Sequence, residues 1–426
     1  MKGTDALHAV DHVIEQLWQP ALTASSDLRV VIDPAPDPAW RTVESYWLIP
    51  RAESARLLVP TEPRAATRRA LTNYRRLRTR RTNLARAALG AAATAGLPLS
   101  RSRVAVQARA AAPADVVMQL PISLLSTQLG FDVVASTGVR TSDNRKTMLH
   151  LVDRSGTPAG YAKVGWNPPS DELVATEGEA LAELGGRTGP MRAPALLARI
   201  DYHGHPITVT APLPFDVRGS SDEPTAQELF GLLPVVRHAP IAHSAQLAAT
   251  MDRLRIAAGV DHVAELGERA LTLALRVSEY PRSVPITSWW HGDLAPWNTA
   301  RDGSGQLWVW DWENAERDAV AGLDALHWTF SSLRLTATDL ERLSLTEALA
   351  RAAMYLTACG LDPTDQAMVA AHYGVVTVER ACTLACHAGT WAESLISPAG
   401  LARLLDQVEA LLGWPHDHGS IPITTR

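Results

Sequence analysis

Residues 288–313 read SWWHGDLAPWNTARDGSGQLWVWDWE, and the reading of this stretch decides the fold. Strand-like residues flank Asp302-Gly303, a turn signal, so the chain is expected to run out from Asn298 and return at Asp311 as an antiparallel hairpin. Such pairing brings the Asn298 amide beside the Asp311 carboxylate. Both offer hard oxygen atoms, the ligand type that suits a magnesium ion bound by one or two protein groups and by substrate phosphates. Asp293 stands in the preceding loop, two residues after His291 and five before Asn298. A carboxylate there can accept a proton from a hydroxyl as that oxygen attacks phosphorus. The set points to phosphoryl transfer, a chemistry that asks a protein mainly for positioning and charge stabilisation.

Upstream, FDVVAST, TMLHLVD and AGYAKVGW read as strands joined by the turn signals TSDNR and DRSGTP, which predicts a small antiparallel sheet. DELVATEGEALAELGG then shows helical spacing, with Leu173, Leu181 and Leu184 on one face and Gly185 as its stop. HPITVTAPLPF is a further strand ending in prolines that suit a hinge, and beyond it the chain is mainly helical to Gly413. Only Lys2, Lys146 and Lys163 are lysine, so a lysine in mid-strand, as Lys163 is, stands out. No GxxxxGK[ST], HExxH, CxxC pair or GxSxG is present, which argues against P-loop enzymes, zincins and common serine hydrolases.

HGDLAPWN followed by WDWENAERDAVAGLD resembles the catalytic loop and metal-binding segment of the aminoglycoside phosphotransferase and choline kinase superfamily, relatives of protein kinases. The resemblance covers about residues 122–414. It implies an α+β, bilobal protein-kinase-like fold, with a small sheet lobe over 122–212 and a mainly helical lobe over 213–414. It also implies ATP and magnesium as cofactors and transfer of the γ-phosphate to a hydroxyl of a small molecule such as a sugar, amino alcohol or aminoglycoside. In that mapping Asp293 is the base, Asn298 and Asp311 hold magnesium, and His291 and Asp324 brace the loop. Lys163 contacts phosphate and pairs with Glu177 or Glu179, of which Glu177 fits the family's helix pattern. TSDNR, with Ser142, Asp143 and Asn144, is the loop over the phosphates, and APLPF lies beside the adenine. No GxGxxG covers the phosphates. The rival reading is a non-catalytic kinase fold that binds nucleotide or serves as a scaffold through its N-terminal part.

That N-terminal part, residues 1–115, matches no portion of the kinase core and is expected to be an accessory α/β domain. Thr61 is expected to cap one helix of about 30 residues running to Gly90, with Leu71, Tyr74, Leu77 and Leu84 as its apolar stripe. The Ala/Pro-rich stretch 100–121 reads as a linker. Pro63 to Ala114 holds twelve arginines and no acid, while the whole chain of 426 residues carries a net charge of -5, so the remainder is acidic. Like charges four apart on a helix repel. The expected relief is docking on the chain's own acidic surface or on a second copy, and nucleic acid is the less expected partner. No apolar run spans a membrane, and the N-terminus lacks a secretion-signal pattern, so a cytoplasmic location is expected. Cys359, Cys382 and Cys386 are too few for a disulfide framework, and Cys382 and Cys386 with His387 read as helix thiols, not zinc ligands.

Overall fold

A nine-stranded antiparallel sheet dominates the computed structural model, which describes residues 3–73, 79–139, 146–219, 222–391 and 396–413. Its strands are β1 (Leu28–Ile32), β2 (Trp40–Ile49), β3 (Leu57–Pro60), β4 (Arg103–Arg109), β5 (Val133–Gly138), β6 (Thr147–Asp153), β7 (Pro158–Val164), β9 (Leu196–Tyr202) and β10 (His205–Thr210), with β8 (Met191–Arg192) outside it. Their order is β1-β4-β2-β3-β5-β6-β7-β10-β9. The four strands of the N-terminal part thus continue the sheet of residues 133–210 through the β3–β5 pairing, in which Leu57 stands opposite Gly138.

This sheet corrects the expected accessory domain and linker. Residues 103–109, read as linker, form a strand between β1 and β2 whose Val104, Ala105, Val106, Gln107 and Ala108 are all buried. A strand covered on both faces loses the alternation that would reveal it. Helix α1 (Gly3–Ala24) buries Val10, Val13, Leu17 and Ala21 at three- and four-residue spacing. It is tied to the later strands by Tyr202, whose hydroxyl donates to the Leu17 carbonyl at 2.7 Å, and by Thr147, which donates to Gln16 Oε1 at 2.5 Å. Residues on both sides of the expected boundary near 120 share one core, from Val10 and Leu48 to Leu149 and Val209.

The single long helix is also corrected. α2 (Arg64–Thr72) ends at Asn73, which is extended (φ -65°, ψ 153°), and α3 (Arg80–Thr94) starts anew with Thr79 as its cap. Pro63, not Thr61, precedes α2. Of the expected stripe, Leu71 is buried and Leu84 is 75% exposed, while Tyr74 and Leu77 fall outside the described residues. Arg64, Arg68, Arg69, Arg80 and Arg81 are exposed, and none forms an ion pair among the described residues, so the internal neutralisation expected for them is not seen there.

By contacts the chain divides into two units. Unit 1 is Met1–Asp222 with Trp297–Asn314. Besides the large sheet it holds α4 (Ala114–Met118), α5 (Pro121–Leu129), α6 (Pro168–Leu184) and a small sheet in which β14 (Thr299–Arg301) pairs with β11 (Arg218–Gly219) and β15 (Leu307–Val309). Unit 2 is Glu223–Pro296 with Ala315–Arg426. In it the sheet β12 (Val235–Pro240), β13 (Ser283–Trp290) and β16 (Glu316–Val320) accompanies α7 (Ala226–Leu232), α8 (Ala245–Ala258), α9 (Ala264–Ser278), α10 (Leu323–Thr336), α11 (Leu345–Ala358), α12 (Pro363–Ala388) and α13 (Pro398–Leu411). Their apolar faces meet in a core of residues such as Leu254, Leu326, Leu356, Val376 and Leu405. Cys382 is buried in this core, and Cys386 packs at its margin. The hairpin 297–314 therefore belongs with the sheet unit, not with the helices that flank it in sequence.

Candidate active site

In unit 1 the strand period sets the site. Ala162 and Val164 of β7 point into the core, so Lys163 between them emerges on the opposite face. There it meets α6, where Asn167 caps the first turn through a reciprocal pair with Ser170. Glu177, three turns on, is buried and pairs with Lys163 at 2.7 Å. Glu179 points elsewhere, 4.0 Å from Arg199, which settles the pairing in favour of Glu177. Lys163 Nζ also contacts Asp311, and it lies 3.0 Å from Glu313 Oε2. A second lysine, Lys146, ion-pairs with the same Glu313 oxygen at 2.5 Å, both side chains being 9% exposed.

The hairpin delivers Asp311 as expected in outline, with a different turn. Asp302 and Gln306 close a loop in which Gly305, not Gly303, takes the left-handed conformation (φ +87°). Register places Thr299 opposite Val309, and the Trp310 N–H donates to the Asn298 carbonyl at 3.1 Å. Asn298 and Asp311 thus leave the same end of the hairpin, Asn298 buried and Asp311 in a left-handed conformation (φ +72°).

Burial pushes the Asp311 carboxyl up to about 6, with the charge of Lys163 opposing it. Burial works against the charge of Glu313 too, but Lys163 and Lys146 outweigh it and hold that carboxyl well below its usual range. Lys163, although buried, is kept protonated by Asp311, Glu177 and Glu313, whereas burial lowers Lys146 despite Glu313. Oxygens of Glu177, Asp311 and Glu313 all lie within 4.8 Å of one another. Hard carboxylate oxygens are the ligand type that magnesium takes, and here all three also face Lys163 Nζ.

On the same face of β7, Tyr161 lies against His150, the rings tilted by 32° with centroids 5.2 Å apart. Tyr161 also packs with Trp308 and Trp310 against Leu213, Val217 and Ala300. Leu213 comes from the APLPF segment. Ser142, Asp143 and Asn144 lie outside the described residues.

In unit 2 the loop after β13 is held by two helices. Gly292 is left-handed (φ +79°), a conformation that costs glycine little, and this lets successive amides face one acceptor. The N–H groups of His291 and Gly292 both donate to Asp324, at 2.8 and 3.1 Å, from the first turn of α10. Burial pushes Asp324 up to about 6, against those two hydrogen bonds. His291 is fully buried, and its Nδ1 accepts the Asp293 N–H at 3.1 Å. Arg380 of α12 donates to the Gly292 carbonyl and lies over Trp290, 4.5 Å from the ring centroid. Asp293 Oδ1 lies 3.0 Å from His327 Nε2. Burial would raise the Asp293 carboxyl, but the His327 hydrogen bond, with His327, His291 and Arg380 close by, brings it below its usual range.

Sequence reading missed Lys146, His327, Tyr373 and Arg380 as site residues, and Glu313 as the partner of the two lysines. Lys146 and Glu313 carried signals, one as a rare lysine and one inside WDWE; His327 follows Asp324 at i+3, the same face of a helix. Tyr373 and Arg380 carried none.

No protein-family model matches the chain, and no curated protein does. Among solved structures it is similar to that of a "putative fructosamine-3-kinase" from Haemophilus somnus 129PT, at 12% identity and a TM-score of 0.43, over 68% of this chain and 96% of that one. No helix among the described residues is long and apolar enough to cross a membrane.

Proposed function

We propose that the chain is a kinase-fold phosphotransferase that uses ATP and magnesium to phosphorylate a hydroxyl of a small molecule. The observation that carries this reading is the junction at Lys163, where one buried ammonium meets the helix carboxylate Glu177 and the hairpin carboxylate Asp311. Phosphoryl transfer needs such a cation, oriented by a partner, next to a group that can hold a metal. Asp311 and Asn298 would hold magnesium, which when bound supplies neutralisation of phosphate charge. Lys163 would contact phosphate oxygens, with Glu177 fixing its direction. Asp293 would take the proton of the acceptor hydroxyl as its oxygen bonds to the γ-phosphorus and the bond to the β,γ-bridging oxygen breaks, releasing ADP. Asp324 and His291 would hold the loop that presents Asp293.

ADP release measured with magnesium across a panel of sugars, amino alcohols and aminoglycosides tests this. Acceptor-stimulated release that disappears in Asp293→Asn supports it, and a parent protein that releases no ADP with any acceptor argues against it. The second reading is a non-catalytic kinase fold that binds nucleotide. ATP binding without turnover would favour that reading.

A further inference from the structure

We propose that His327, itself oriented by Tyr373, is a positioning residue that holds the Asp293 carboxylate in one orientation. The proposal rests on the phosphotransferase reading only for its kinetic consequence. An ionised carboxylate can accept hydrogen bonds but not donate them. His327 Nε2, 3.0 Å from Asp293 Oδ1, must therefore carry the proton. A neutral imidazole protonated at Nε2 has its lone pair at Nδ1, and the Tyr373 hydroxyl lies 3.1 Å from that atom. Tyr373 is 1% exposed, and burial keeps its phenol protonated, so its O–H is there to donate to that lone pair. The chain of bonds runs one way, from Tyr373 through His327 to Asp293.

The helices explain why the chain is rigid. Asp324 and His327 stand at i and i+3 on α10, so the helix that takes the backbone N–H groups of His291 and Gly292 also takes the carboxylate of Asp293. Tyr373 and Arg380 stand seven residues apart on α12, two turns along one face, and Arg380 takes the Gly292 carbonyl. Main chain and side chain of the loop are thus fixed by the same two helices. With Oδ1 committed to the imidazole, the direction of Oδ2 is set, as a proton acceptor aimed at a hydroxyl requires. His291, Arg380, Asp324 and Arg334 supply the other charged or titratable side chains around Asp293, His327 and Tyr373.

The test combines a spectrum with kinetics on the full chain. In nitrogen-15 imidazole spectra His327, assigned from its loss in His327→Gln, should appear as the Nε2-protonated tautomer, and its signal should shift in Asp293→Asn and Tyr373→Phe. An Nδ1-protonated ring, or a signal indifferent to Asp293→Asn, overturns the proposal whether or not the protein is a kinase. In ADP release, His327→Leu should lower kcat by about ten- to a hundredfold with KM little changed. His327→Gln, whose amide can donate to Asp293 and accept from Tyr373, should recover most of that loss at an unchanged melting temperature. A His327→Leu protein with parental kcat, while Asp293→Asn is inactive, overturns the proposal and leaves the phosphotransferase reading standing. A parent without turnover on any acceptor sinks that reading instead, and the spectra then decide this one.

Discussion

In unit 1 the carboxylates Glu177, Asp311 and Glu313 are held by two ammonium groups, whereas in unit 2 Asp324 is held by backbone N–H groups and Asp293 by an imidazole. The first arrangement balances charge against charge in a largely buried place, so each member depends on the others staying ionised. The second fixes a loop through donors built into helices and main chain. The contrast teaches that loss of a cation should be felt mainly as stability in unit 1, and loss of the Asp293 carboxylate mainly as turnover in unit 2.

The strongest way to break that contrast is Asp293→Asn. Turnover should fall by about a hundredfold to ten-thousandfold, as for loss of a general base, with the melting temperature nearly unchanged. A variant that unfolds early, or one that keeps parental turnover, would remove Asp293 from the role.

Lys163→Met should show the opposite balance. It leaves three carboxylates close together without their common ammonium, and removing one partner from a buried ionic group costs about 3–5 kcal/mol. Thermal melting should show the loss at pH 7. Part of it should return toward pH 5, because the Asp311 carboxyl, pushed up to about 6 even with Lys163 present, then takes a proton and relieves the repulsion. Equal loss at both pH values would show that charge is not the cause.

Asp324→Asn sharpens the comparison through pH. The folded Asp324 binds its proton more tightly than an unfolded one, having been pushed from 3.8 to about 6. Its contribution is therefore fully present below pH about 4 and is lost as pH rises through about 6, a swing on the order of 3 kcal/mol. Because asparagine mimics the neutral carboxyl, parent and variant melting temperatures, compared from pH 4 to 7, should lie closest at the acidic end, with the parent losing ground to the variant as pH rises. A parent that gains on the variant as pH rises would mean that the ionised form is the one the loop amides stabilise.

The smallest effect is expected outside both sites. Arg68 and Arg69 have no ion-pair partner among the described residues, so replacing both with alanine should leave stability within about 0.5 kcal/mol. A larger loss in urea titration would reveal a contact that their exposure hides.

The candidate site was legible where its parts are close in sequence. His291, Asp293, Asn298 and Asp311 fall within 21 residues, and a hairpin needs only a turn signal and strand-forming flanks to be recognised. Lys163 stood out as a mid-strand lysine in a chain with two others, and Glu177 through the helix pattern that the family resemblance implies. Lys146 was not assigned because nothing local says that its ammonium meets Glu313, 167 positions away in the chain. His327, Tyr373 and Arg380 were hidden for the same reason. Their roles come from which helix faces pack beside the loop.

The N-terminal 120 residues mark the limit of such reading. Sequence alone determined the strands and helix around Lys163 and the hairpin after Asn298 in outline, because each is written in periodicity or turn chemistry over a few residues. Only the tertiary structure decided that 103–109 is a strand between β1 and β2, that the arginine-rich helix stops at Asn73, and that the N-terminal strands extend the sheet of Lys163 instead of forming a domain apart. The physical reason is that a strand buried on both faces shows no polar side, and sheet order is set by backbone pairing and shared burial between segments distant in the chain, which no local pattern records.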